Sequence, residues 1–348
     1  MDTRLQRLTT WVRQLPGFES AGPEPVSGDA SFRRYFRVWQ QLPDQPRTPF
    51  IVMDAPPEQE DCGPFIAIAE HWRSHGVRVP AIRARDTGQG FLLLEDFGDQ
   101  LMLKALSPGS ADTLYRQALE QLLHIARLPA CPSFPLPPYD KALLDREMAL
   151  FPDWLLEQHL GLSLDNHERA LLETTFSLLR ESALAQPEVT VHRDYHSRNL
   201  LVLPGQGTPG VIDFQDAVTG PVTYDLVSLL KDCYVCWPEA ELARWLEHYR
   251  SISLDAGLHR ADAATFRQWF ELMGIQRHLK AAGIFARLAI RDGKPGYLPD
   301  VPRTVSYIRD ASARQPALRH FHLWLCEVVI PAIESQIGAL PATESPRP

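Results

Sequence analysis

The chain has 348 residues, 45% of them hydrophobic and 22% charged, the balance of a folded globular protein long enough for two domains or lobes. Its formal net charge of −8 offers no global positive field to nucleic acid or anionic lipid, so small molecules are the expected partners, with no nucleic acid, no membrane and no obligate protein partner inferred. Arg4, Arg7 and Arg13 interrupt the opening segment where a secretory signal would need apolar residues, and no apolar run approaches the roughly 18 residues of a membrane span. Five thinly spread cysteines suit a reducing compartment, and the expected location is the cytoplasm. Cys233 and Cys236 form a CxxC without a second ligand pair nearby, which reads as two small apolar residues on a helix.

In chain order, residues 1–18 carry Leu5, Leu8, Val12 and Leu15 at helical spacing before Pro16-Gly17 stops the run. The turn SGDAS (27–31) leads into the alternating strand FRRYFRVW, and PFIVMDAPP is a second strand closed by prolines. FIAIAEHWRSHG (65–76) reads as a helix with Phe65, Ile68, Ala69 and Trp72 on one face, and FLLLED (91–96) as a buried strand. Beyond residue 100 the pattern turns helical: ADTLYRQALEQLLHIARL, DNHERALLETTFSLLRES and ELMGIQRHLKAAGIFARLAI all space apolar residues by three and four. Prolines near 129–138 mark an extended connection, and residues 189–216 form a strand-like island among the helices. The expected class is α+β, with a small, mainly antiparallel β lobe at 1–96 and a larger, mainly α lobe at 97–348.

The island contains HRDYHSRNL (192–200). A hydroxyl attacking the terminal phosphate of ATP needs orientation, and metal ions to neutralise the charge gathering on the transferred group. One carboxylate to orient the hydroxyl, an amide five residues later and a second carboxylate on the next hairpin supply both needs. Asp194 and Asn199 have that spacing, His192 stands two residues before the aspartate, and Asp213 ends a Val-Ile strand 19 residues on. The expected roles are Asp194 as the catalytic carboxylate and Asn199 and Asp213 as Mg²⁺ ligands. A literal DFG at 96–98 precedes this loop and so cannot be its metal segment; its place after the last strand of the first lobe fits a hinge whose backbone at Glu95 and Phe97 meets adenine.

HRDYHSRNL, VIDFQDAVTGPVTYDL and LLLEDFGD resemble the aminoglycoside phosphotransferase and choline kinase superfamily. With SGDASFRRYFRV, PFIVMDAPPE and QRHLKAAGIFARL, the chain looks closest to the bacterial anomeric sugar kinases that phosphorylate N-acetylmuramate and N-acetylglucosamine at C1 in peptidoglycan recycling. The resemblance covers nearly the whole chain and implies a two-lobed, protein-kinase-like fold, ATP, Mg²⁺ and a small amino-sugar substrate. The alternatives are a kinase of another small alcohol, of aminoglycoside, choline or homoserine type, and a catalytically silent module that binds nucleotide or protein.

Protein kinases and most of their relatives clamp the nucleotide phosphates with a strand lysine, yet no lysine precedes Lys104, and Met53-Asp54 stands at the expected place. Arg34 or Arg37 is therefore expected to reach the phosphates, since guanidinium presents a permanently charged planar fork. Gly28 permits a tight phosphate loop to which Ser31 adds a hydroxyl, as such loops do in this superfamily, and Glu70 either orients the arginine or is simply solvated. His192 and Asp225 read as structural support of the catalytic loop. A lactyl carboxylate on the sugar would need a cationic partner, for which Arg198 is the candidate and Arg277 and His278 are weaker ones; Tyr195 and Asp216 are candidates for sugar hydroxyls.

Overall fold

In the computed structural model, which describes residues 2–26 and 32–342, the chain starts with a helix capped by Asp2. The Asp2 carboxylate accepts from the amides of Arg4 at 3.1 Å and Leu5 at 3.0 Å. This helix, α1 (Thr3–Arg13), lays Leu8, Trp11 and Val12 on a five-stranded antiparallel sheet. The strands are β1 (Glu24–Pro25), β2 (Arg34–Gln40), β3 (Thr48–Asp54), β4 (Ile82–Asp86) and β5 (Phe91–Glu95), in the order β1-β2-β3-β5-β4. Phe36, Val38, Val52, Phe91 and Leu93 complete the core under α1. Each large side chain buried there stabilises the unit by roughly 1.5–3 kcal/mol.

Two strands escape the sequence pattern for identifiable reasons. β1 has two residues, one of them proline, and β4 (IRARD) is an edge strand whose alternate positions are exposed. The second helix, α2 (Cys62–Ser74), begins earlier than its apolar stripe because Asp61 caps it through the amide of Gly63 at 2.7 Å.

The chain divides into two compact units. The first holds residues 1–100, 130–135 and 201–216, and the second residues 101–129, 136–200 and 217–348. Residues 201–216 join the first unit through Phe214, fully buried against Phe65 and Trp72 of α2 at ring distances of 4.9 and 5.7 Å. The strand-like island resolves into short pairs: Glu188–Val191 pairs with Val218–Pro221, and Leu200–Leu201 with Gly210–Val211.

The second unit is mainly helical and is built around Ala263–Arg291, whose 29 residues start at an Asp262 cap. Between Phe270 and Ala286 this helix is buried on almost every side, which marks the centre of a core. Gly283 lets it approach closely: a Cβ there would lie 2.3 Å from the carbonyl carbon of Leu150, at the end of helix Lys141–Leu150. Cys233 and Cys236 lie in the irregular segment after helix Tyr224–Leu230, not on a helix as the sequence suggests, and Arg277 donates to the buried Cys233 thiol at 3.8 Å. Among the described residues no helix is long and apolar enough to cross a membrane.

Candidate active site

The segment 192–199 leaves strand Glu188–Val191 and is held by two buried carboxylates. Asp225 accepts from the amides of His192 at 2.6 Å and Arg193 at 2.9 Å, and Asp232 accepts from Ser197 through its amide at 2.9 Å and hydroxyl at 2.5 Å. Arg193 has φ +78, a region that side-chain-bearing residues avoid, and the Asp225 bonds hold it there. The Asp194 amide donates to His192 Nδ1 at 3.2 Å, while the Asp194 carbonyl accepts from the His196 amide and from Asn199 Nδ2, both at 3.0 Å. The side-chain nitrogen of Asn199 thus holds the loop's own backbone, and its amide oxygen is of the type a hard cation takes.

Asp194 is half-buried. Burial opposes its ionisation, but the positive field of Lys280, His196, Arg277 and Arg193 outweighs that and lowers the carboxyl to about 2. Lys280 is itself fixed, donating to Glu147 at 3.0 Å and to the Tyr224 hydroxyl at 2.9 Å. Glu147 also binds Arg193 at 2.5 Å and the Tyr139 hydroxyl, which Gln276 meets at 3.0 Å. The carboxylate beneath the loop is therefore ionised at neutral pH, and as a weak base it can orient a hydroxyl and accept its proton only late in the transfer.

Asp213 belongs to the first unit. It has φ +65, a conformation aspartate tolerates better than most residues, and its carboxylate accepts from Gln215 Nε2 at 2.9 Å. Burial of the neighbouring Phe214 anchors the segment. In the same unit the Glu95 amide donates to the Ala81 carbonyl at 2.9 Å, and the Glu95 side chain takes a bidentate bond from Arg78 at 2.9 and 2.6 Å. The Arg78 guanidinium covers the Phe97 ring at 4.4 Å. Gly210 makes room for that ring, since a Cβ there would lie 2.5 Å from it. Asp96 closes the turn through the Gly98 amide at 2.7 Å.

Gly28 and Ser31 lie outside the described residues. Arg34 and Arg37 pair with carboxylates of the first unit. Arg34 stands opposite Asp54 in the β2–β3 register and binds it through Nε at 3.0 Å and Nη2 at 2.6 Å, with Asp2 on its remaining nitrogen. Arg37 is bidentate to both Asp96 and Asp99. Every nitrogen of both guanidinium groups already meets a carboxylate, which competes with any phosphate for them. At the end of β3, where a lysine was sought, the fully buried Asp54 instead gathers Arg34 and Arg4, the latter at 2.6 Å.

Tyr195 is fully buried, and its hydroxyl donates to the Ala118 carbonyl at 2.8 Å, toward the core. Arg277 and His278 are buried as well, Arg277 donating to the Ser228 hydroxyl and the Cys233 sulfur, His278 lying between the carbonyls of Gly274 and Lys231. Glu70 pairs at the surface with Arg85 at 2.9 Å. Asp216 is exposed and meets Gln215 at 3.3 Å. Arg198 is half-buried between the rings of Tyr234 and Tyr297, at 4.5 and 5.7 Å. Sequence reasoning missed Lys280, Glu147 and Asp232; the cluster of polar residues Gln276, Arg277, His278 and Lys280 inside an apolar helix was the available signal for the first.

Known proteins resemble this chain over most of its length. The model of a phosphotransferase enzyme family, APH, matches residues 23–269. N-acetylmuramate/N-acetylglucosamine kinases of Pseudomonas putida and Neisseria meningitidis are 47% and 39% identical over 328 residues each, covering 91% and 93% of this chain and 94% and 95% of theirs. Among solved structures, the Streptococcus pneumoniae choline kinase LicA superposes with a TM-score of 0.60 at 14% identity, covering 88% of this chain and 98% of that one. The ADP-bound aminoglycoside phosphotransferase APH(2'')-Ib does so with 0.57 at 14% identity, covering 88% and 98%. These two show the fold.

Proposed function

The chain belongs to the APH phosphotransferase enzyme family, and from that premise we propose that it transfers the terminal phosphate of ATP to the anomeric C1 hydroxyl of N-acetylmuramate or N-acetylglucosamine, in cytoplasmic recycling of cell-wall sugars. The observation that carries the reading is the ionised Asp194 carboxylate in a loop braced by Asp225 and Asp232, in a chain whose relatives with 39–47% identity bear that kinase name.

A hemiacetal hydroxyl at C1 is more acidic than an ordinary alcohol, so a carboxylate lowered to about 2 is sufficient to orient it and receive its proton late. Lys280 and Arg193 keep that carboxylate charged while Glu147 holds both cations in place. Asn199 in the second unit and Asp213 in the first each offer oxygens of the hard kind that Mg²⁺ takes from protein. When bound, Mg²⁺ supplies neutralisation of the charge on the phosphoryl group in transfer. For the nucleotide, Glu95 has its amide committed to Ala81 and offers adenine its carbonyl, beside the backbone of Phe97.

Phosphorus NMR of ATP incubated with the enzyme and either sugar tests the reading. The expected product gives a phosphate resonance coupled to the single anomeric proton. Coupling to the methylene protons of C6, or phosphorylation of choline or an aminoglycoside with neither sugar touched, would overturn it.

A further inference from the structure

Several partly buried guanidinium groups in this protein meet a carboxylate: Arg34, Arg37, Arg78, Arg180 and Arg193 all do. Arg198 does not. It lies half-buried against the rings of Tyr234 and Tyr297, and its donors make no hydrogen bond or ion pair among the described residues. Arg303, half-buried at the start of helix Val301–Ala313, has a single long bond, to the Cys233 carbonyl at 3.4 Å. Between them in electrostatic reach is Asp300, whose half-buried carboxylate accepts no hydrogen bond among the described residues and whose carboxyl is pushed up by burial despite the opposing charges of Arg303 and Arg198. Partly desolvated charges that meet one another only through space, with a single long hydrogen bond among them, are costly, and a polar ligand that supplies the missing hydrogen bonds would complete such a cluster.

The surroundings have the character of a sugar site. Tyr297 stacks on Phe285 at 5.8 Å with 12° between the rings, and Phe285 packs on Tyr234 at 6.5 Å, giving flat apolar faces beside charged groups. The cluster also adjoins the catalytic loop. The His196 ring meets the edge of Tyr234 at 5.4 Å, its amide donates to the Asp194 carbonyl, and Arg198 immediately precedes Asn199.

We propose that Arg198, Asp300 and Arg303, with the rings of Tyr234 and Tyr297, form the acceptor subsite, in which the two guanidinium groups bind the carboxylate of an acidic sugar and Asp300 accepts from its hydroxyl or amide groups. This deepens the proposed function and rests on it. N-acetylmuramate differs from N-acetylglucosamine by a lactyl ether that carries a carboxylate, the group a planar fork binds through two parallel hydrogen bonds. Arg198 is then the residue that separates the two sugars.

The test compares both sugars in wild type, Arg198→Gln and Arg303→Gln by steady-state kinetics and by calorimetric binding. Arg198→Gln is expected to lose about 10- to 100-fold in kcat/KM for N-acetylmuramate, the worth of a charge-assisted hydrogen bond, and less than about threefold for N-acetylglucosamine. Turnover of the neutral sugar doubles as the control for folding. Arg303→Gln should move in the same direction by a smaller factor. Equal losses for both sugars, or none for either, would overturn the subsite. If wild type phosphorylates neither sugar, the proposed function falls, and calorimetry then decides the subsite: tighter binding of N-acetylmuramate that vanishes in Arg198→Gln supports it, and no preference overturns it.

Discussion

Arg34 and Arg37 in the sheet and Arg198 and Arg303 beside the catalytic loop present the same planar fork to opposite surroundings. In the sheet, β2 places Arg34 opposite Asp54 and lets Arg37 reach Asp96 and Asp99, so every nitrogen that could meet a phosphate already meets a carboxylate. Drawing Arg34 away would leave the fully buried Asp54 short of a partner, a change that costs several kcal/mol when a buried charge is uncovered. Arg198 lies against aromatic faces and, among the described residues, makes no hydrogen bond or close ion pair. Saturated arginines hold a fold together; unsaturated ones are available to a ligand.

The largest effect that sharpens this comparison is expected at Asp194, because the comparison locates the chemistry in the loop next to the unsaturated arginines. Asp194→Asn should lower turnover by about 10² to 10⁴ while leaving the melting temperature and ATP binding nearly unchanged. Turnover like that of wild type would move the chemistry elsewhere and remove the reason for setting Arg198 apart.

A smaller effect probes the saturated side. The Glu95 carboxyl is held below its ordinary value of 4.5 by its hydrogen bonds to Arg78, against the cost of desolvation. A carboxylate lowered on folding contributes stability that is complete above the unfolded value and is lost as pH falls through the folded one. Glu95→Gln should therefore cost about 1–2 kcal/mol at pH 7, by urea denaturation, and the gap to wild type should close as pH drops below about 4.5. A gap that is the same at acid and neutral pH would show that the pair carries no such charge-dependent support.

Much of this was legible from residue order. The core stripe of α1, the strands β2, β3 and β5 and the HxDxxxxN spacing each follow from local pattern, because a period of 3.6 or 2 and a five-residue offset survive whatever surrounds them. The state of the arginines did not, since it depends on register and tertiary neighbours: nothing near Arg37 announces Asp96 and Asp99, some sixty residues on. Lys280 and Glu147 are likewise 133 positions apart, and only folding makes them a pair behind Asp194. Tyr195 is a related case: a tyrosine beside the candidate catalytic residue Asp194 invites a substrate role, whereas the packing binds its hydroxyl to the Ala118 carbonyl.

Kinetics on the matched variants Arg37→Gln and Arg198→Gln test the difference between the two regions most directly. The account predicts that Arg37→Gln unfolds about 1–2 kcal/mol more easily yet keeps its KM for ATP within about threefold, whereas Arg198→Gln keeps its melting curve and loses N-acetylmuramate. A stable Arg37→Gln whose KM for ATP rises tenfold or more would contradict it.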